Sequence, residues 1–296
     1  MPTVAFNDLL VHPRDNDLVL GTHGRGIWIL DNIAALQELT PEVMAAEAHL
    51  FTVEPAEMVR ISGAGGHTGD MHFAGQNPPF GAVIDYYLRD KVDSDAISIT
   101  IHDGAGNEIN SVRTKDTAGV NRVTWNLRHA NIGPAMPVSG TNRGPAGPWV
   151  LPGEYTVRLT VGDTKMEQTF TVSDDPRIDV DDATRVAWHR AVSNLAAVVK
   201  DYLPIVDSVA KIQEQVDSLP ADAKSAHADL IAEVVEVYPK LRELRSRLSR
   251  LYGQVSRATA PFTADQRLQQ TYFEDWIRRL EPSVARILGA EMPQTR

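Results

Sequence analysis

Gly119-Val120-Asn121-Arg122-Val123-Thr124-Trp125-Asn126-Leu127-Arg128 is the stretch that decides the fold of the middle of this chain. Val123, Trp125 and Leu127 fall on one face of an extended segment, and Arg122, Thr124, Asn126 and Arg128 on the other. That alternation is the mark of a half-buried strand. After the turn Pro152-Gly153-Glu154 the pattern returns, with Tyr155, Val157, Leu159 and Val161 inward and Thr156, Arg158 and Thr160 outward. Ile97, Ile99 and Ile101 alternate with Ser98, Thr100 and His102 in the same way. Strands are expected near residues 83–88, 96–102, 108–113, 121–127, 154–161 and 165–172. Asp103-Gly104-Ala105-Gly106-Asn107 and Gly162-Asp163 supply tight turns between them, and residues 131–148 a long loop. Strands at this spacing predict an immunoglobulin- or fibronectin-like β-sandwich over residues 82–175, with Trp125 at its centre. Asp174-Asp175-Pro176-Arg177 closes it, because proline restricts the residue before it to extended geometry.

Beyond residue 175 the period changes. Leu230, Val234, Val237, Leu241, Leu244, Leu248, Leu251 and Val255 step by four and three, the seam of an amphipathic helix. Val192, Leu195, Val199, Tyr202, Val206 and Val209 form a second stripe, and Phe273, Ile277, Leu280, Val284 and Ile287 a third. Thr263-Ala264-Asp265-Gln266 has capping-box spacing ahead of the third. Three such helices with short joints predict an antiparallel three-helix bundle over residues 176–296. Pro204, Pro239 and Pro282 are each expected to kink or interrupt a helix. The seam has a second use open to it, pairing with another copy of the chain.

Ahead of the sandwich, residues 4–31 read as short strands with tight turns. Asp8 to His12 is extended, Pro13 to Asp17 turns, Leu18 to Leu20 resumes, and Gly21 to Gly26 reverses the chain into Ile27-Trp28-Ile29-Leu30. Residues 32–47 read as helical, with Thr40-Pro41-Glu42 as cap, first-turn proline and first-turn acid. Leu50 to Val53 reads as a strand closing the same blade, and residues 61–81 as a Gly/Pro-rich linker.

The run V-H-P-R-D-N-D-L-V-L-G-T-H-G-R-G-I-W-I-L-D, from Val11 to Asp31, resembles the last blade of a bacterial β-propeller of the sortilin-like and BNR-repeat class, often labelled glycosyl hydrolase or sialidase-like. G-V-N-R-V-T-W-N-L-R, P-G-E-Y-T-V-R-L and D-D-P-R resemble the domain that follows the propeller in such proteins. The resemblance implies a partial last blade over residues 1–60, and full-length relatives that are exported. The S-x-D-x-G-x-T-W turn of that class is absent, and a propeller needs about four to eight blades where this chain offers one. A lone blade exposes two sheet edges and cannot bury both faces. The chain is therefore expected to be the C-terminal piece of something longer, or a reading frame that begins late.

Composition narrows the function. A formal charge of −10 argues against nucleic acid as a partner. The apolar runs are too short to span a bilayer, and Met1 to Asp8 has no signal-peptide pattern. With no cysteine, disulfides and thiolate chemistry are excluded, and the compartment stays open. Gly21 to Gly26 lacks the Lys-Ser/Thr ending of a phosphate loop and leads into a strand, so it reads as a turn. His67-Thr68-Gly69-Asp70-Met71-His72 holds metal-type ligands on a loop without a scaffold, and no metal or other cofactor is assigned. Asp181 and Asp182 read as the cap of the first long helix rather than as part of a calcium loop.

No catalytic residue is assigned. The candidate binding residues are His23 and Arg25, on the glycine turn where a cation could meet an anion, and Trp149, expected to be an exposed aromatic. The first functional reading is a non-catalytic structural and interaction region whose partners are upstream blades or a partner chain. The alternatives are a fragment of a glycoside hydrolase to which Arg25 contributes, or a stand-alone carbohydrate- or protein-binding module that dimerises through its helices.

Overall fold

The computed structural model describes residues 3–59, 78, 80–133, 136–138, 141–143, 145–257 and 260–289. They form a mixed β plus α protein with several sheets, one curled as a half-barrel, and a C-terminal helical region. Two compact units divide the chain: Met1–Leu127 with Pro152–Ile178, and Arg128–Leu151 with Asp179–Arg296. This differs from the three-part division expected above. The N-terminal strands share a unit with the central sheets, and the expected long loop belongs with the helices.

The first unit opens with β1 (Phe6–Val11), β2 (Leu18–Thr22) and β3 (Ile27–Leu30), an antiparallel meander in the order β1-β2-β3. The helical stretch is two short helices, α1 (Ala34–Glu38) and α2 (Pro41–Ala45), and the Thr40 hydroxyl accepts the Val43 amide as expected of a cap. Next come β4 (Ala48–Leu50), β5 (Ala56–Met58), β6 (Ala82–Leu88), β7 (Ile97–Asp103), β8 (Glu108–Val112) and β9 (Gly119–Trp125). After a hairpin of β10 (Met136–Val138) and β11 (Thr141–Arg143), which lies in the second unit, β12 (Gly153–Val161) and β13 (Thr164–Asp174) complete the first.

Two sheets build the core of the first unit, one ordered β5-β13-β12-β7-β8 and the other β4-β6-β9. Trp125 of β9 reaches Tyr155 of β12 at 5.4 Å and Phe170 of β13 at 6.1 Å between ring centroids. The alternation read from the sequence is the reason: Val123, Trp125, Val157, Leu159 and Phe170 are all buried side chains. Gly81 enters β6 at φ +112°, where a Cβ would stand 2.0 Å from the Trp125 carbonyl oxygen, so only glycine fits.

Two strand assignments need correction. The strand expected through residue 127 ends at Trp125, because Leu127 turns to φ 56° to bury its side chain completely. The strand expected to close the N-terminal blade is instead β4, which pairs with β6, so Leu50, Phe51 and Val53 are buried there. The meander is left with three strands.

The second unit contains α3 (Asp182–Ser218), α4 (Ala221–Ala226), α5 (Ala228–Val255) and α6 (Ala264–Gly289). Asp181 caps α3, its carboxylate accepting the Thr184 amide at 2.8 Å. Thr263 and Gln266 make the reciprocal bonds of a capping box ahead of α6, at 3.2 and 2.9 Å. The short α4 fills the joint where a direct turn was expected. Pro204, Pro239 and Pro282 lie inside continuous helices, none of which is interrupted. Packing of the stripes on either side outweighs a locally missing hydrogen bond. All three stripes meet in one buried cluster, so the α5 seam is used within the chain.

Candidate functional site

Residues 3–55 present the two features on which function can be built: an apolar sheet open to solvent, and a polar cleft beside it. In the meander only the central strand is protected, with Leu20 buried. Leu9 is 61% exposed and Ile27 74%, and Leu10, Trp28 and Ile29 are exposed as well. Because neighbours along a strand point to opposite faces, Leu9 with Leu10, and Trp28 with Ile29, put apolar surface on both sides of the sheet. Among the described residues, β1 and β3 are also unpaired on their outer edges.

His23 and Arg25 lie together on the turn joining β2 to β3, both exposed. Gly24 and Gly26 adopt φ 76° and 71°, and the Thr22 hydroxyl donates to the Gly26 carbonyl at 2.6 Å. The Trp28 indole donates to the Arg25 carbonyl at 3.1 Å. The backbone of the turn is therefore fixed while both side chains are exposed.

Beside the sheet is a cleft of about 820 Å³, lined among others by Asp15, Asp17, Asp31, Asn32, Glu54 and Arg122. Arg122 organises it. Its guanidinium grips Asp85 with two 2.8 Å bonds and donates to the carbonyls of Asp31 and Asn32 at 2.6 Å each. Asp85 is directly opposite Arg122 in the β6–β9 register and is 5% exposed. The hydrogen bonds to Asp85 hold the Arg122 guanidinium above its ordinary range, against the cost of burial. Asp17 in turn accepts the Asn32 amide at 2.9 Å, and Asn16 and Gln37 exchange side-chain bonds. This network ties the segment after β3 to the sheet that carries Trp125. Among the described residues there is no group of three or more His, Asp or Glu side chains placed to hold a metal ion. His67, Asp70 and His72 lie outside the described residues.

Trp149 belongs to the second unit and is not the exposed aromatic expected from its loop. It is half-buried against the helical core, with the Arg128 guanidinium 3.9 Å from its ring centroid. Arg128 also donates to the Gly147 carbonyl at 2.9 Å, and Tyr252 to the Ala146 carbonyl at 2.7 Å, so residues 128–151 are fastened at several points. Burial pushes the Tyr252 hydroxyl up to about 12.

The same corner holds His189, its ring 5.6 Å from that of His129 and its Nε2 buried without a hydrogen-bond partner. Burial first, then His129, lowers the pKa of His189, while a bond to the Trp149 backbone opposes this. A histidine pKa depressed by folding means that the unfolded chain binds more protons between the folded value and about 6.5. The stability tied to His189 is therefore complete above about 6.5 and is lost as pH falls through the folded value. Urea unfolding over this range should show an acid-side loss of stability that is smaller in His189→Gln; an equal loss in both would contradict the assignment.

Arg122 and Asp85 escaped the reading of the sequence, since period-2 alternation places both on the solvent side of their strands. The one signal was a carboxylate inside the apolar run Ala82-Val83-Ile84-Asp85-Tyr86-Tyr87-Leu88.

No family model and no curated protein matches this chain. Among solved structures it is similar to CopC from Methylosinus trichosporium OB3b, at 15% identity and a TM-score of 0.21, over 33% of this chain and 80% of that one. A likeness of that size carries no argument about fold or function. Among the described residues no helix is long and apolar enough to cross a membrane.

Proposed function

We propose that the chain is a non-catalytic structural and interaction region that completes a sortilin-like or BNR-type β-propeller protein, in the order partial last blade, immunoglobulin-like sandwich and helical bundle. The observation that carries this reading is the β1–β3 meander, with apolar side chains exposed on both faces and both outer edges unpaired among the described residues. Contiguous apolar surface of this kind marks an interaction site, and free edges invite another strand. Upstream blades of a propeller would supply both: a sheet stacked on each face and a strand at an edge. The Arg122 network supports the reading, because it holds the meander at a fixed place on the sheet behind it. In a closed propeller, His23 and Arg25 would stand on a blade turn, where the Arg25 guanidinium would attract an anionic ligand.

Hydrogen exchange tests this. Amides of β1 and β3 should exchange rapidly in the chain alone. They should become protected, with Trp28 emission shifting to the blue, when the chain is produced joined at its N-terminus to blades of a propeller of this class. Full protection of β1 and β3 in the isolated monomer would sink the proposal. Hydrolysis of aryl-glycosides by this chain alone would transfer support to the glycoside hydrolase alternative.

A further inference from the structure

A second surface, on the helical unit, carries a more specific message. Between α5 and α6 runs an open groove of about 810 Å³. Its floor is apolar and buried, formed by Leu251 and Phe273, and its lip carries Leu268 and Tyr272, which are 69% and 54% exposed. The opposite lip carries Arg247 and Arg250. Arg247 is neutralised by Glu243 at 2.6 Å, but Arg250 has no carboxylate partner among the described residues. The groove thus asks for a helix with apolar side chains and a free carboxylate.

Such a helix is present in the chain itself. On α6, Asp265, Leu268 and Tyr272 follow one another at i, i+3 and i+7, which puts them on one face. Asp265 is exposed and binds only the Gln269 amide, at 2.6 Å, so its charge has no cation among the described residues. The groove and this stripe are complementary in polarity and charge. They also share Leu268 and Tyr272, so one two-fold operation satisfies both at once: each copy lays α6 over the α5–α6 groove of the other. We infer that this face pairs two copies of the chain, Leu268 and Tyr272 interlocking at the axis and Asp265 of one copy meeting Arg250 of the other. The α5 seam takes no part, since its residues are buried within the helical core of one copy.

Sedimentation velocity over a concentration series decides the matter. The wild-type chain should show a reversible dimer. Leu268→Ser, Arg250→Asp and Asp265→Arg should each weaken it at least about tenfold, since the two-fold repeats the lost anchor or charge pair in both copies. The combined Arg250→Asp/Asp265→Arg chain should regain most of the affinity, which a merely unfolded protein would not do. Because Leu268 is exposed, its serine variant should keep the wild-type melting curve. A wild-type chain that stays monomeric throughout overturns the inference. So does a dimer indifferent to Leu268→Ser, and one lost instead on Ile27→Lys belongs to the N-terminal sheet.

Discussion

Replacing Arg122 by alanine is expected to destabilise the first unit by about 3–5 kcal/mol, the cost of leaving a buried carboxylate without its partner. The Asp85 carboxylate would be left without its partner at a nearly inaccessible position, and the Asp31 and Asn32 carbonyls would lose their donor. A surface ion pair is worth about 0–1 kcal/mol, so the size of the loss distinguishes the two descriptions. The second substitution makes the test sharper. In Arg122→Ala/Asp85→Asn the stranded charge is gone, and a large part of the stability should return. Urea unfolding of wild type, Arg122→Ala, Asp85→Asn and the double variant reads the cycle directly. A loss under about 1 kcal/mol for Arg122→Ala would mean that the guanidinium is only a surface ligand of Asp85.

Trp125→Ala should be at least as damaging, at about 3–5 kcal/mol, because a large ring is removed from a core that cannot collapse into its place. The indole is held between two aromatic rings of the facing sheet, both fixed by their own strand pairing. Trp125→Phe keeps an aromatic body and should recover most of the loss, which separates volume from any polar role of the indole. The measurement is again the urea midpoint, with near-ultraviolet circular dichroism to confirm that the tertiary environment of the remaining aromatics changes only in the alanine variant.

Strand positions were legible because each central strand has one face covered and one free, and alternation records that difference residue by residue. Helix positions were legible for a similar reason, the three stripes meeting in one cluster. What escaped is what depends on distant parts of the chain. Arg122 and Asp85 point away from the main core, but residues 31 and 32 come over that side, their carbonyls accepting from the Arg122 guanidinium at 2.6 Å each. Alternation has no means of registering a cover supplied from so far along the chain. Residues 128–151 failed differently. Their glycines and prolines give no period, so a segment fastened at Arg128, Gly147 and Ala146 read as a free loop.

The two units alternate along the sequence, the first interrupted at Leu127 and resumed at Pro152. During synthesis the ribosome must deliver β9, then a stretch destined for helices that do not yet exist, and only then the β12 and β13 strands that cover Trp125. A stop codon after Ile178 would leave every strand of the first unit in place, yet strand Ile132 and Trp149 without the helices they pack on. Translation order therefore makes the nascent chain dependent on holding a sticky intermediate until α3 emerges, and no single cut divides the chain into its two units, whose segments would each have to be rejoined.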